Sequence, residues 1–293
     1  MSSKRKRLPA PVRTLAAAAA LTLAVVLPGP ATAAGPDVRI GWTAWSDAEV
    51  VSKMATLVLS RVGLDVELTL ADVDVQYRAL AEGNLDVMLM SWQPRTHAGY
   101  LREYGDRLED LGPLYEGADL GLAVPGYVDE EVQAIGDLAG RGEAFGGVIE
   151  GIGEGAGIMD RADEAIAAYG LEDYRLKTGS GPAMAKRLGE AVAERRPMVV
   201  TAWRPHWKWA AYDLRYLEDP EGIFEGEESV HAMARDGFAE EQPQVAGFLQ
   251  RMHFELPELE ALMAEAREKG HRRAIRDWLN ANSERVRYWL EGE

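Results

Sequence analysis

Trp42, Trp45, Trp92, Trp203, Trp207 and Trp209 gather where short apolar runs give way to turn residues, the places where a binding cleft recruits aromatic faces. Indole faces that converge attract a quaternary ammonium, which has no N–H to donate, at roughly 0.5–2 kcal/mol per face. Two stretches nearly repeat one another. Residues 85–97 read LDVMLMSWQPRTH and residues 198–207 read MVVTAWRPHW, each an apolar run followed by a Trp, a Pro two residues on and a His. His97 thus sets a titratable donor beside Trp92. Trp278 and Trp289 lie at helical spacing and read as core, and Trp207 and Trp209 read as rings that seal a lobe interior.

A glycine-rich segment, GIGEGAG at 151–157, follows one apolar run and opens a helical pattern. Backbone N–H groups in such a loop form an anion site. The segment loosely fits the dinucleotide pattern G-x-G-x-x-A, but the next strand ends in Lys177-Thr178, without the acidic residue that would hold a ribose. A carboxylate suits the loop better. The five histidines have no metal-ligand spacing, G-x-S-x-G is absent, and Gly179-Ser180-Gly181 lacks the preceding glycine. No nucleophile–base pair or metal triad argues for catalysis, and no cofactor is implied.

The periodicity supplies elements to carry these residues. A strand at 38–42 leads to a capping box, Ser46 to Glu49, and to a helix ended by Gly63. A strand at 66–70, a helix at 74–82 and a strand at 85–90 complete β-α-β-α-β. The order returns with a strand at 144–149, a helix at 158–169, a strand at 174–178, a helix at 182–194 and a strand at 198–202. From about residue 224 the chain reads mostly helical, at 244–252, 257–269 and 271–290. Two α/β lobes with two crossings predict a hinged clamshell. The first lobe takes residues 35–122 and 208–293, the second residues 123–207, with hinges near 120–127 and 201–212. Ligands of such sheets sit at the carboxyl ends of the strands.

The first 34 residues read as an export signal. Lys4, Arg5, Lys6, Arg7 and Arg13 precede an Ala/Leu/Val run at 15–27; Pro28, Gly29 and Pro30 break it, and Ala31-Thr32-Ala33 offers a cleavage pattern. With those five basic residues removed from 32, against 48 acidic ones, the mature chain carries a formal charge of −21. Such a surface repels nucleic acid and anionic membranes. There is no cysteine, hence no disulfide and no acylated cysteine behind the signal. The expected address is the periplasm or the exterior.

Several blocks occur in one order across residues 38–289: Trp92-x-Pro94 with His97, GIGEGAGIM at 151–159, Tyr169-Gly170-Leu171, residues 201–207, and Tyr216-Leu217-Glu218-Asp219-Pro220. In these the chain resembles the substrate-binding proteins of ABC importers for glycine betaine and related quaternary amines. The resemblance implies a two-lobed α/β fold, the type II periplasmic-binding-protein clamshell, and a monomer that delivers a betaine to membrane permease subunits.

It also implies a site. Three tryptophans would box the trimethylammonium head: Trp92, Trp203 and Trp45, with Trp42 as the competing third wall. Histidine and backbone N–H groups matching His97, Gly151 and Ile152 would hold the carboxylate, with Gly153 a further candidate in the same loop. Asp47 follows Trp45 as in the choline-binding branch, where the acid meets the ligand hydroxyl. That branch lacks the histidine pattern and has a tyrosine in place of Leu120, so the balance favours glycine betaine or proline betaine over choline or carnitine. An exported enzyme acting on a quaternary amine is the alternative of another class.

Overall fold

The computed structural model describes residues 35–292; the export-signal reading of residues 1–34 lies outside them. The chain opens with β1 (Val38–Trp42), α1 (Ser46–Arg61), β2 (Val66–Leu70), α2 (Val73–Ala81) and β3 (Val87–Gln93). β2 and β3 flank β1, both parallel to it. In α1, Val50, Val51, Met54, Val58 and Leu59 are buried, the one-sided stripe that presses a helix onto a sheet. Gly63, at φ +96°, takes the left-handed turn that ends it.

The capping box does not form. Ser46 is the first helical residue, Trp45 precedes it without a side-chain cap, and the Ser46 hydroxyl lies 3.0 Å from Met263 Sδ. Glu49 turns instead to Lys53 and stands 3.6 Å from His271 Nε2. Packing against the closing helices takes these side chains away from the helix end.

After α3 (Ala98–Tyr104) comes β4 (Leu108–Pro125), an 18-residue strand. The second half follows as β5 (Val148–Glu150), α4 (Gly157–Ala168), β6 (Arg175–Lys177), α5 (Gly181–Glu194) and β7 (Val199–Arg204). Here β6 and β7 flank β5 in parallel, the arrangement of the first half again. The short α6 (Lys208–Ala211) and β8 (Leu214–Tyr216) lead to β9 (Glu228–Arg235). The chain closes with α7 (Phe238–Glu241), α8 (Pro243–Arg251), α9 (Leu256–Lys269), α10 (His271–Ala281) and α11 (Ser283–Glu291).

The strand order is β2-β1-β3-β9-β4-β7-β5-β6, with β8 on β4. β9 runs antiparallel between β3 and β4, and β4 runs antiparallel to β7. Residues 108–118 of β4 pair with β9 and residues 119–123 with β7, so this one strand joins the halves. By its contacts the chain from Pro36 to Glu293 is one unit.

Several stretches differ from the sequence reading. Residues 228–235, inside the stretch that reads mostly helical, form β9, and residues 108–125, to which the sequence reading assigns no strand, form β4. The expected helix at 271–290 is two helices, because Asn282 leaves helical geometry at ψ 33° and its amide nitrogen donates to the Trp278 carbonyl. Trp278 and Trp289 stack at 5.6 Å in this terminal layer, with Phe254 packed on both.

Candidate functional site

The carboxyl ends of β1, β3, β5 and β7 converge on one small cavity. Trp45 enters it from the turn between β1 and α1, Trp92 from the end of β3, Trp203 from the end of β7 and Ile152 from the loop after β5. His97 reaches it from the turn before α3. The three indoles are 7 %, 3 % and 3 % exposed, so they form walls rather than an outer surface. No charged side chain lines the cavity.

The turn that carries His97 is anchored. The N–H and hydroxyl of Thr96 both donate to Glu228 on β9, at 3.0 and 2.8 Å. His97 Nδ1 accepts the Trp92 backbone N–H at 3.0 Å. An accepting Nδ1 puts the ring proton of the neutral imidazole on Nε2. Burial pushes the His97 pKa down to about 3, so the ring is neutral. Nε2 is buried without a partner among the described residues, and His97 lines the cavity. An unpaired buried donor costs about 1–3 kcal/mol, a cost that a ligand oxygen removes.

Asp47 stands behind the wall. It is fully buried, and its two oxygens accept from Tyr115 Oη at 2.6 Å and Trp203 Nε1 at 3.1 Å. Burial raises its pKa, against the lowering effect of those two bonds. It orients Trp203 and is not part of the lining. Trp42 is elsewhere too, half-buried, with Lys53 Nζ 5.2 Å from its ring centroid.

The glycine loop differs from the free anion nest expected of it. The Gly151 N–H donates to the Lys177 carbonyl at 2.9 Å, because Gly151 continues the pairing of β5 with β6. The Ile152 N–H meets only Met159 Sδ, at 3.2 Å, a weak acceptor that a carboxylate would outcompete. Gly153 is outside the lining. Gly157 and Ile158, the first residues of α4, do line the cavity, and first-turn amides have no intrahelical acceptor. The sequence signal for them was present in the glycine run that opens a helix; their reach could not be read without the register of α4. Glu150, ahead of the loop, is clamped by Lys177 Nζ at 2.9 Å and Arg187 Nε at 2.6 Å.

Contacts between the halves surround the cavity. Tyr100 Oη donates to the Gly155 carbonyl at 2.8 Å. A Cβ at Gly157 would lie 2.3 Å from the Thr96 carbonyl oxygen, and one at Gly181 would lie 3.0 Å from that of Ala44. Glycine at 157 is therefore a condition of this close approach.

Residues 36–281 match the family described as the substrate binding domain of ABC-type glycine betaine transport systems, OpuAC. The chain belongs to this family. OpuAC-family proteins are binding components of transporters and not enzymes. Lactococcal OpuAC, solved closed with glycine betaine, is 30 % identical at a TM-score of 0.81, over 87 % of this chain and 99 % of that one. The ProX glycine betaine and proline binding protein of Borrelia burgdorferi is 28 % identical at 0.81, over 86 % and 96 %. A choline binding protein with bound choline is 25 % identical at 0.81, over 87 % and 91 %. The fold is thus the two-lobed α/β clamshell that the resemblance implied. The glycine betaine/carnitine binding protein GbuC of Listeria monocytogenes is 33 % identical over 154 residues, 52 % of this chain and 51 % of that protein. The chain spans about half the length of that curated relative. Among the described residues no helix is long and apolar enough to cross a membrane.

Proposed function

We propose that this OpuAC-family protein captures a carboxylated quaternary ammonium, glycine betaine or proline betaine, and delivers it to the permease of an ABC importer for osmoprotectant uptake. The observation that carries this reading is the pairing, in one cavity without charged side chains, of three indole walls with the unpartnered Nε2–H of His97. The trimethylammonium head sits among Trp45, Trp92 and Trp203. The carboxylate accepts hydrogen bonds from the His97 Nε2–H and the N–H of Ile152, with the first turn of α4 behind it. Gly151 joins only if its bond to Lys177 opens.

The protein acts outside the cytoplasm, as a monomer and without catalysis. Residues 35–122 with 208–293 form one lobe and residues 123–207 the other, hinged near 120–127 and 201–212. The ligand touches both and favours the closed form by its differential affinity for it. Micromolar binding needs about −8 kcal/mol, within the ceiling of about −1.5 kcal/mol per atom for a ligand of roughly eight heavy atoms.

Choline is the second reading, since Asp47 matches the acid that meets its hydroxyl. Both Asp47 oxygens are engaged by Tyr115 and Trp203, which favours the betaine. Calorimetric titration with glycine betaine, proline betaine, carnitine and choline separates these; betaines bind at micromolar concentration, and no heat at millimolar betaine sinks the reading.

A further inference from the structure

Lys208, the first residue of α6, is wholly buried. Its Nζ lies 4.0 Å from the centroid of the Trp203 ring, a distance at which a cation stands over the face. It has no hydrogen-bond partner among the described residues. Trp203 lines the cavity and Lys208 does not, so the nitrogen approaches the ring from outside the cavity.

One ring then has two claimants. A cation on one face of an indole draws on the electron density that attracts a cation to the other, and two positive charges across one ring repel through a medium of low dielectric. We propose that Lys208 is a positioning residue that tunes the Trp203 wall: when charged it holds the ring and opposes the ligand's cationic head, and when neutral it yields the ring to the ligand. This rests on the quaternary ammonium reading above.

The surroundings allow both states. Acidic Asp47 on α1, Asp119 on β4 and Glu260 on α9 favour the charge. Burial opposes it more strongly and pushes the ammonium well below its ordinary range. His206 accepts the Lys208 backbone N–H at Nδ1, 3.0 Å away, and stays neutral under the same burial. Tyr115 and Tyr216 are bonded to Asp47 and Asp119, and the Arg204 guanidinium lies 4.4 Å from the Trp209 ring centroid.

The test is calorimetric titration of the full chain with glycine betaine at about pH 6 and about pH 9, on the wild type, Lys208→Met and Lys208→Gln. Methionine keeps the stem without the charge; glutamine serves if the methionine variant does not fold. Wild-type affinity should fall at least about threefold from the higher to the lower pH, and either variant should lose that slope and bind at least about threefold tighter than wild type at the lower pH. A flat wild-type profile, or a variant that keeps the wild-type slope, overturns the coupling while leaving the betaine reading intact. No betaine heat in the wild type at either pH overturns that reading and the coupling with it.

Discussion

The backbone N–H of Trp92 and Nδ1 of His97 are joined by a 3.0 Å hydrogen bond, so one wall of the cavity sets the tautomer of its donor. The proton on Nε2 is the group offered to a carboxylate. His97→Ala should weaken glycine betaine at least about tenfold, the worth of one hydrogen bond to a charged group. Tetramethylammonium, which has no carboxylate, should change less than about twofold. Tryptophan fluorescence titration of both ligands checks the split.

Neutral buried histidines also weaken the fold in acid. His97 is depressed to about 3 and His206 lies well below its ordinary value, both by burial. Below about pH 6.5 the unfolded chain binds protons that the folded chain does not. The contribution to stability is therefore full above that pH and is lost, at up to ~1.4 kcal/mol per pH unit for each ring, as pH falls below it, for His97 down toward about 3. Urea midpoints at successive pH values should show this decline, and His206→Gln should make it shallower.

Asp47 touches Trp203 and Tyr115 but not the cavity. Asp47→Ala should destabilise the fold by about 2–4 kcal/mol, leaving two buried donors unpaired, and should weaken betaine binding by releasing Trp203. Asp47→Asn keeps an acceptor and should cost less on both counts. Thermal melts and calorimetry on the pair read this.

Trp92→Ala and Trp203→Ala should each weaken binding at least about tenfold, near the upper worth of a desolvated cation–π face. Trp42→Ala should change it less than about twofold, since that ring lies under Lys53 outside the cavity. Calorimetric titration with betaine compares the three.

The proposed closure has its own signature. Gly157→Ala would drive a Cβ to 2.3 Å from the Thr96 carbonyl oxygen. The variant should fold normally, bind betaine at least about tenfold more weakly and show less ligand-induced compaction in solution scattering. Tyr100→Phe removes only the bond to the Gly155 carbonyl and should cost about two- to fivefold in affinity.

The parallel strands and their helices were legible because their apolar runs are short and bounded by glycine, proline and polar turns. Trp92 and His97 could be picked out from the end of the β3 run alone. β9 was missed because its inward alternation, Val230, Ala232 and Ala234, is built from small residues that a helix uses equally well. β4 is not announced by its sequence, since glycines and register shifts at residues 110–118 interrupt its alternation and its last third reads only as a crossing between lobes. The state of the Gly151 amide was not readable, because its acceptor, Lys177, lies on a neighbouring strand. The engagement of Asp47 depends on Tyr115, 68 residues away, and no local pattern announces it.

The absence of charged side chains from the cavity lining bears on the water in which such a protein works. A site built on exposed charges loses strength as salt accumulates, since the Debye length shrinks from about 10 Å at 0.1 M to about 3 Å at 1 M. Indole faces and a neutral imidazole N–H, buried away from mobile ions, are spared that loss. Under the proposed reading, capture by these groups keeps its grip through a rise in salinity, the moment at which a cell has most need of a compatible solute.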